Sequence, residues 1–96
     1  MAEANLKQPQ PLDVHDASIG ESFKRWKRQV QIYLLAGGYS EKSKEVQRAT
    51  ILYCAGNDII DASVYFPWKK ADGTNMTADE KKEPDNVFLM IENYCI

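Results

Sequence analysis

Histidine is nearly absent from this sequence: His15 is the only one, and it lies between Asp13 and Asp16 in a polar, Pro-containing stretch. General acid–base catalysis uses histidine most often, and it needs titratable groups that converge in a pocket. A single imidazole in a hydrated segment offers at most a loose His–carboxylate metal contact. Cysteine is almost as scarce. Cys54 and Cys95 lie far apart, with no ligand partner near either, whereas a structural zinc takes about four local Cys, His or carboxylate ligands. Both thiols fall in apolar helical patterns, where they read as small hydrophobes and not as a disulfide framework. No apolar run approaches the roughly 20 residues of a membrane span. Residues 1–16 contain no apolar core of a secretory signal. The expected compartment is therefore the cytoplasm or the nucleus, without secretion, and the sequon Asn75-Met76-Thr77 has no expected glycosylation role. Glycine is sparse too, with five residues. The run Lys69-Lys70-Ala71-Asp72-Gly73 lacks the Gly-rich loop and following helix of a phosphate site.

What remains is enough to fold. Ninety-six residues make one domain, with 44% apolar and 10% aromatic side chains. A chain of this size buries only about 60% of its unfolded surface, so the expected core is thin. The 12 basic and 14 acidic side chains nearly balance but are unevenly spread. Between Ser22 and Arg48 there are seven Lys or Arg and two Glu; from Asn57 onward there are eight Asp or Glu and four Lys. Such asymmetry fits a nucleic-acid surface, two faces that attract each other between copies, or two ordinary solvated faces.

Residues 1–17 read as a flexible, extended tail, because Gln8-Pro9-Gln10-Pro11 favours polyproline-like backbone. Its apolar Leu12 and Val14 are able to pack on a domain surface. The domain proper is expected over 18–96. Ser18, with Glu21 three residues later, forms a candidate capping box, and Ser22 is the competing cap. Ile19, Phe23, Trp26, Val30, Tyr33 and Leu34 then describe one helical face. The opposite face carries Lys24, Arg25, Lys27, Arg28 and Gln31. Gly37-Gly38 is the expected stop. Ser40 is the expected cap of a second helix with the stripe Val46, Ala49, Leu52, Tyr53 and Gly56, widened by Ile51, Cys54 and Ala55. A third, shorter helix starts at Asn57 or Asp58, runs through Tyr65 and Phe66 and stops at Pro67. It buries Ile59, Ile60, Ala62 and Ser63. Trp68 is expected to fold back on the core from a loop over 67–77. Thr77 and Glu80 form a capping box for a single turn at 78–82. A fourth helix has Pro84 near its first position and the stripe Val87, Phe88, Ile91, Tyr94 and Cys95. The fold class is all-α, a small four-helix (or four-to-five-helix) bundle, with the two long helices as antiparallel neighbours. The apolar, uncapped end at Ile96 reads as a chain truncated at its C-terminus.

No catalytic, metal or cofactor-binding residue emerges, and an enzyme is not expected. Ser18, Ser22 and Ser40 read as caps, and Asp58 with Asp61 as carboxylates complementing a helix dipole. Lys24, Arg25, Lys27 and Arg28 form the candidate contact cluster, for phosphates or for a protein partner, against the plain alternative of a solvated helix face.

In order along the chain, these residues resemble a known family. Phe23, Trp26, the Tyr33-Leu34 pair and the small-residue break at Ala36-Gly37-Gly38 are similar to the first capsid helix of Ty3/Gypsy-type retrotransposon Gag polyproteins. Val30 stands where that pattern commonly has an aromatic. Val46 through Gly56 resembles the second Gag helix, which ends in glycine before a short helix. Val87 through Tyr94 is similar to the helix ending in an aromatic before the capsid linker. The resemblance covers about residues 20–96. It implies a capsid N-terminal lobe with core positions Phe23, Trp26, Tyr33, Leu34, Ala49, Leu52, Gly56, Phe66, Phe88 and Tyr94. Expected partners are other copies of the chain or Gag-like proteins, short apolar peptides as in domesticated relatives, and RNA. The resemblance carries over no catalytic residue.

Overall fold

The computed structural model describes residues 8–70 and 72–96. The described residues form four α-helices: α1 over Ile19–Ala36, α2 over Lys44–Ala55, α3 over Asn57–Ser63 and α4 over Pro84–Cys95. Single 3-10 turns span Tyr39–Glu41 and Glu80–Lys82. Extended pairing among the described residues is limited to one antiparallel bridge, Lys69 with Asn75. The chain is the small helical bundle expected from its periodicity.

Helix boundaries follow local polar chemistry, in two places differently from expectation. Ser18 precedes α1 but makes no side-chain cap bond. Asp16 braces this end from outside the helix without capping its first amides: its carboxylate accepts the Ser18 N–H at 2.8 Å and the Ser22 hydroxyl at 2.7 Å. A carboxylate is the stronger acceptor and also suits the positive helix end. Ser40 does not cap α2, because it lies within the 3-10 turn. Ser43 caps it, its Oγ accepting the Val46 N–H at 3.2 Å. Downstream, Thr77 and Glu80 form the reciprocal box, Glu80 Oε1 accepting from Thr77 N at 2.8 Å and Thr77 Oγ1 from Glu80 N at 3.2 Å. Pro84 occupies the first position of α4, where a missing N–H costs nothing.

The core holds Phe23, Trp26, Val30 and Leu34 of α1, Ile51, Cys54 and Ala55 of α2, Ile59 of α3, and Val87, Phe88, Met90 and Ile91 of α4. Leu12, Phe66, Trp68 and Met76 close it from the connecting segments. Burying this apolar surface is the main stabilising term. Helix α4 packs against both α1 and α2, and α2 also packs on α3. The direct α1–α2 contact is smaller, so the two long helices are not each other's main neighbours.

The largest correction concerns α2. The expected stripe is turned to solvent: Ala49 is exposed, as are Val46 and Tyr53, and Leu52 is half-buried. The buried face is Gln47, Ile51, Cys54 and Ala55. At about 100° per residue, the two stripes lie on opposite sides of the helix, their mean directions roughly 180° apart. Burying Gln47 is tolerable because its Nε2 donates to the carbonyls of Lys42 at 3.0 Å and Ser40 at 3.4 Å. Tyr94, also expected in the core, is 52% exposed; its ring lies 5.7 Å from that of Phe66 at the bundle edge. Of the α3 residues expected inside, Ile59 alone is fully buried; Ile60, Ala62 and Ser63 are half-buried. Tyr33 and Gly56 are half-buried as well.

The end of α2 is completed from elsewhere in the chain. The last carbonyls of a helix have no intrahelical donor. Here Trp26 Nε1 donates to the Cys54 carbonyl at 3.2 Å, and the Leu12 N–H donates to the Ala55 carbonyl at 3.1 Å. Gly56 then turns the chain away at φ +101°. A Cβ there would sit 2.9 Å from Pro11 Cβ. Leu12 and Val14 of the N-terminal segment pack on the bundle, as their apolar character allows, and Pro11 lies against Gly56; residues 1–7 of the expected tail lie outside the described residues.

Trp68 does fold back. It adopts φ +51°, uncommon for a bulky residue. The ring is buried against Phe66 and covered by the Arg48 guanidinium at 4.9 Å, a cation–π contact.

Candidate functional site

The residues expected to carry contacts do not form one patch. Lys24, Arg25 and Arg28 reach solvent from α1. Lys24 lies 3.9 Å from Glu21, an exposed pair of little energetic weight. Lys27 turns toward α4, its ammonium 5.6 Å from the Phe88 ring centre. Among the described residues, no group of three or more His, Cys, Asp or Glu is placed to hold a metal ion. His15 donates its backbone N–H to Asp13 Oδ1 at 3.0 Å, a local turn. No helix of the described residues is long and apolar enough to cross a membrane.

The titratable groups with shifted pKa values act structurally. Hydrogen bonds from Ser22 and the Ser18 N–H hold the Asp16 carboxyl below its ordinary value. The Lys70–Glu80 pair, at 2.8 Å, raises the lysine and lowers the glutamate. Burial pushes the Cys54 thiol up to about 11 and raises Cys95. A thiol with a raised pKa is a poor nucleophile near neutrality.

The surface carries more of interest than the charges do. Ile32 and Leu35 of α1 are 59% and 73% exposed. They continue the line of Arg25 and Arg28, since 25, 28, 32 and 35 are spaced three, four and three apart and share one helix face. Across the molecule, Asp58, Asp61, Ala62, Tyr65, Phe66 and Pro67 face Met90, Asn93 and Tyr94 across an open groove of about 480 Å³ between α3 and α4. Phe66 and Met90 are buried in its floor, while Tyr65 stands 86% exposed at its wall. Val64 beside it is also exposed. Asp58 and Asp61 supply the acidic rim. A second groove, of about 520 Å³, lies over α2 and includes Tyr33, Tyr39, Val46 and Tyr53. The Tyr33 and Tyr39 rings stack at 5.5 Å, and hydrogen bonding to Tyr39 raises the Tyr33 phenol above its ordinary pKa. A third, of about 700 Å³, separates residues 8–13 from α1.

Sequence reasoning missed the α3–α4 groove and the Ile32–Leu35 pair. The signal for the pair was present: two aliphatic residues off the α1 core stripe. The groove had none, because it exists only once Tyr65 and Tyr94 fail to be buried.

Comparison with known proteins gives no match: no family model, no curated protein and no solved structure aligns with this chain.

Proposed function

We propose that this chain is a non-catalytic structural and interaction domain, of the kind a retrotransposon Gag-like capsid N-terminal lobe supplies, acting through protein–protein contacts between copies. Complementary packing performs the work, with no bond made or broken. One observation carries the reading: large apolar side chains lie in the open on two separate elements, Ile32 and Leu35 on α1 and Val64 and Tyr65 at the end of α3. Clustered exposed apolar surface rimmed by polar groups marks interaction sites. The helical bundle and the order of sequence motifs support the Gag-like form of this reading, and a reducing cytoplasmic or nuclear setting fits two unpaired thiols. Absolute mass by light scattering, across protein concentration at low and high salt, tests it. Growth beyond the monomer that weakens with salt is expected, because exposed charge contacts are screened over about 8–10 Å. A monomer at every concentration refutes it.

A second reading, a peptide-binding adaptor lobe, is favoured by one feature. Residues 8–13 lie along α1 as an extended segment, with Leu12 buried and its N–H donated to Ala55. An external apolar peptide is able to make the same contacts. Deleting residues 1–17 is then expected to raise affinity for such a peptide; no binding with or without the segment removes this reading.

A further inference from the structure

The α1 stripe and the α3–α4 groove are complementary. The stripe is basic at its N-terminal half, through Arg25 and Arg28, and apolar at its C-terminal half, through Ile32 and Leu35. The groove has an apolar, aromatic interior and an acidic rim of Asp58 and Asp61. Helix-in-groove recognition uses this kind of i, i+3, i+7 row of anchors against an apolar trough. Within one molecule the two surfaces belong to different helices, so each copy carries one of each. We infer that α1 of one copy docks in the α3–α4 groove of a second copy, with Ile32 and Leu35 against Tyr65 and Tyr94 and the two arginines against Asp58 and Asp61. This inference rests on the self-association proposed above and assigns its two surfaces.

Such a contact is heterologous. Each added copy leaves one stripe and one groove unfilled, so association proceeds head to tail and does not stop at a symmetric pair. It also permits a test that an undefined sticky patch fails. The variant R25E/R28E spoils the stripe and keeps the groove; D58K/D61K spoils the groove and keeps the stripe. Each variant alone sets like charges against each other and is expected to lose association about tenfold or more. Their mixture restores both contacts. The intact stripe of one fits the intact groove of the other, and the reversed stripe fits the reversed groove.

The experiment measures mass by light scattering at low salt for the wild-type chain, each variant and the equimolar mixture, with far-UV circular dichroism as the check on folding. All four substituted residues are on the surface. Leu35→Asp, at a largely exposed position, is a second route that leaves every charge of the stripe and groove in place, and it too is expected to abolish growth. Wild-type growth, loss in each variant and recovery on mixing is the expected result. Variants that associate like the wild type overturn the assigned surfaces while leaving self-association standing. A wild-type chain that stays monomeric overturns both readings. Growth that vanishes on nuclease treatment assigns the basic stripe to RNA and overturns the docking.

Discussion

Replacing Trp26 separates two contributions that the structure places in one side chain. The indole is 3% exposed, tilted against Phe23 at 5.9 Å and edge-on to Phe88 at 5.7 Å. Its Nε1 also supplies the donor for the Cys54 carbonyl at the end of α2. Trp26→Phe keeps most of the ring and removes the donor. Leaving a buried carbonyl unpaired costs about 1–3 kcal/mol. Trp26→Ala removes the ring as well, for a total of about 3–5 kcal/mol. A domain of this size has only about 5–15 kcal/mol in all, so the alanine variant sits near the edge of folding. Each kcal/mol corresponds to roughly 4–8 °C in melting temperature. Urea unfolding followed by far-UV circular dichroism gives both free energies, and the fluorescence of Trp68 gives an independent transition in the same variants. The expected order is wild type, then Phe, then Ala. A phenylalanine variant as stable as wild type refutes the role of the indole N–H; an alanine variant as stable as wild type refutes the core itself.

Gly56→Ala is expected to cost at least about 1–3 kcal/mol by backbone strain, because φ is +101° and the new Cβ meets Pro11; Gly20→Ala in α1, with open space around it, is the control and is expected to be neutral or stabilising by thermal melting. Toward a thiol reagent at pH 8, Cys95 is expected to react in the native chain and Cys54 only after unfolding, since the latter is fully buried and its thiol pKa is raised to about 11. The sign of the linked effect follows: the stability linked to the neutral Cys54 thiol is fully present below about pH 9 and falls as pH rises toward 11, visible as alkaline loss of melting temperature. Asp16 shifts the other way. Its lowered pKa gives stability present above the ordinary carboxylate range and lost as pH falls through the folded value. The gap in melting temperature between wild type and Asp16→Asn is therefore expected to close as pH falls below the ordinary carboxylate range.

Helix positions were legible because turn-scale signals are local. Pro84 at a first position, the Thr77–Glu80 box and the break at Gly56 each act within four residues, and each lies where the sequence places it. The α1 face was legible because Phe23, Trp26, Val30 and Leu34 outweigh any rival stripe. Rotation of α2 was not, since Val46, Ala49 and Tyr53 make as good a stripe as Ile51, Cys54 and Ala55. The choice between them depends on packing against α3 and α4, and on backbone carbonyls at Ser40 and Lys42 that accept from Gln47. The part Asp16 plays at the start of α1 was not legible, because it stands two residues before Ser18 and bonds to the Ser18 N–H and the Ser22 side chain, outside the spacing of a capping box. The basic cluster was legible as charge, but not the diversion of Lys27 to Phe88, nor the pairing of Arg25 and Arg28 with exposed aliphatic residues.

The hydrogen bond from Leu12 to the Ala55 carbonyl has a consequence for dynamics. Among the described residues of the N-terminal segment it is the one backbone amide that bonds to a helix of the bundle, flanked on the outer side by Pro11 and Pro9, which have no amide proton at all. In deuterium exchange that amide therefore reports separately on undocking of the segment. Exchange of Leu12 at the rate of the central α4 amides would mean that the segment leaves only when the whole domain unfolds. Faster exchange gives the free energy of a partial opening directly. In that state α2 loses a terminal donor and the trough beside α1 is bared, so one proton measures how often the fold visits an open form.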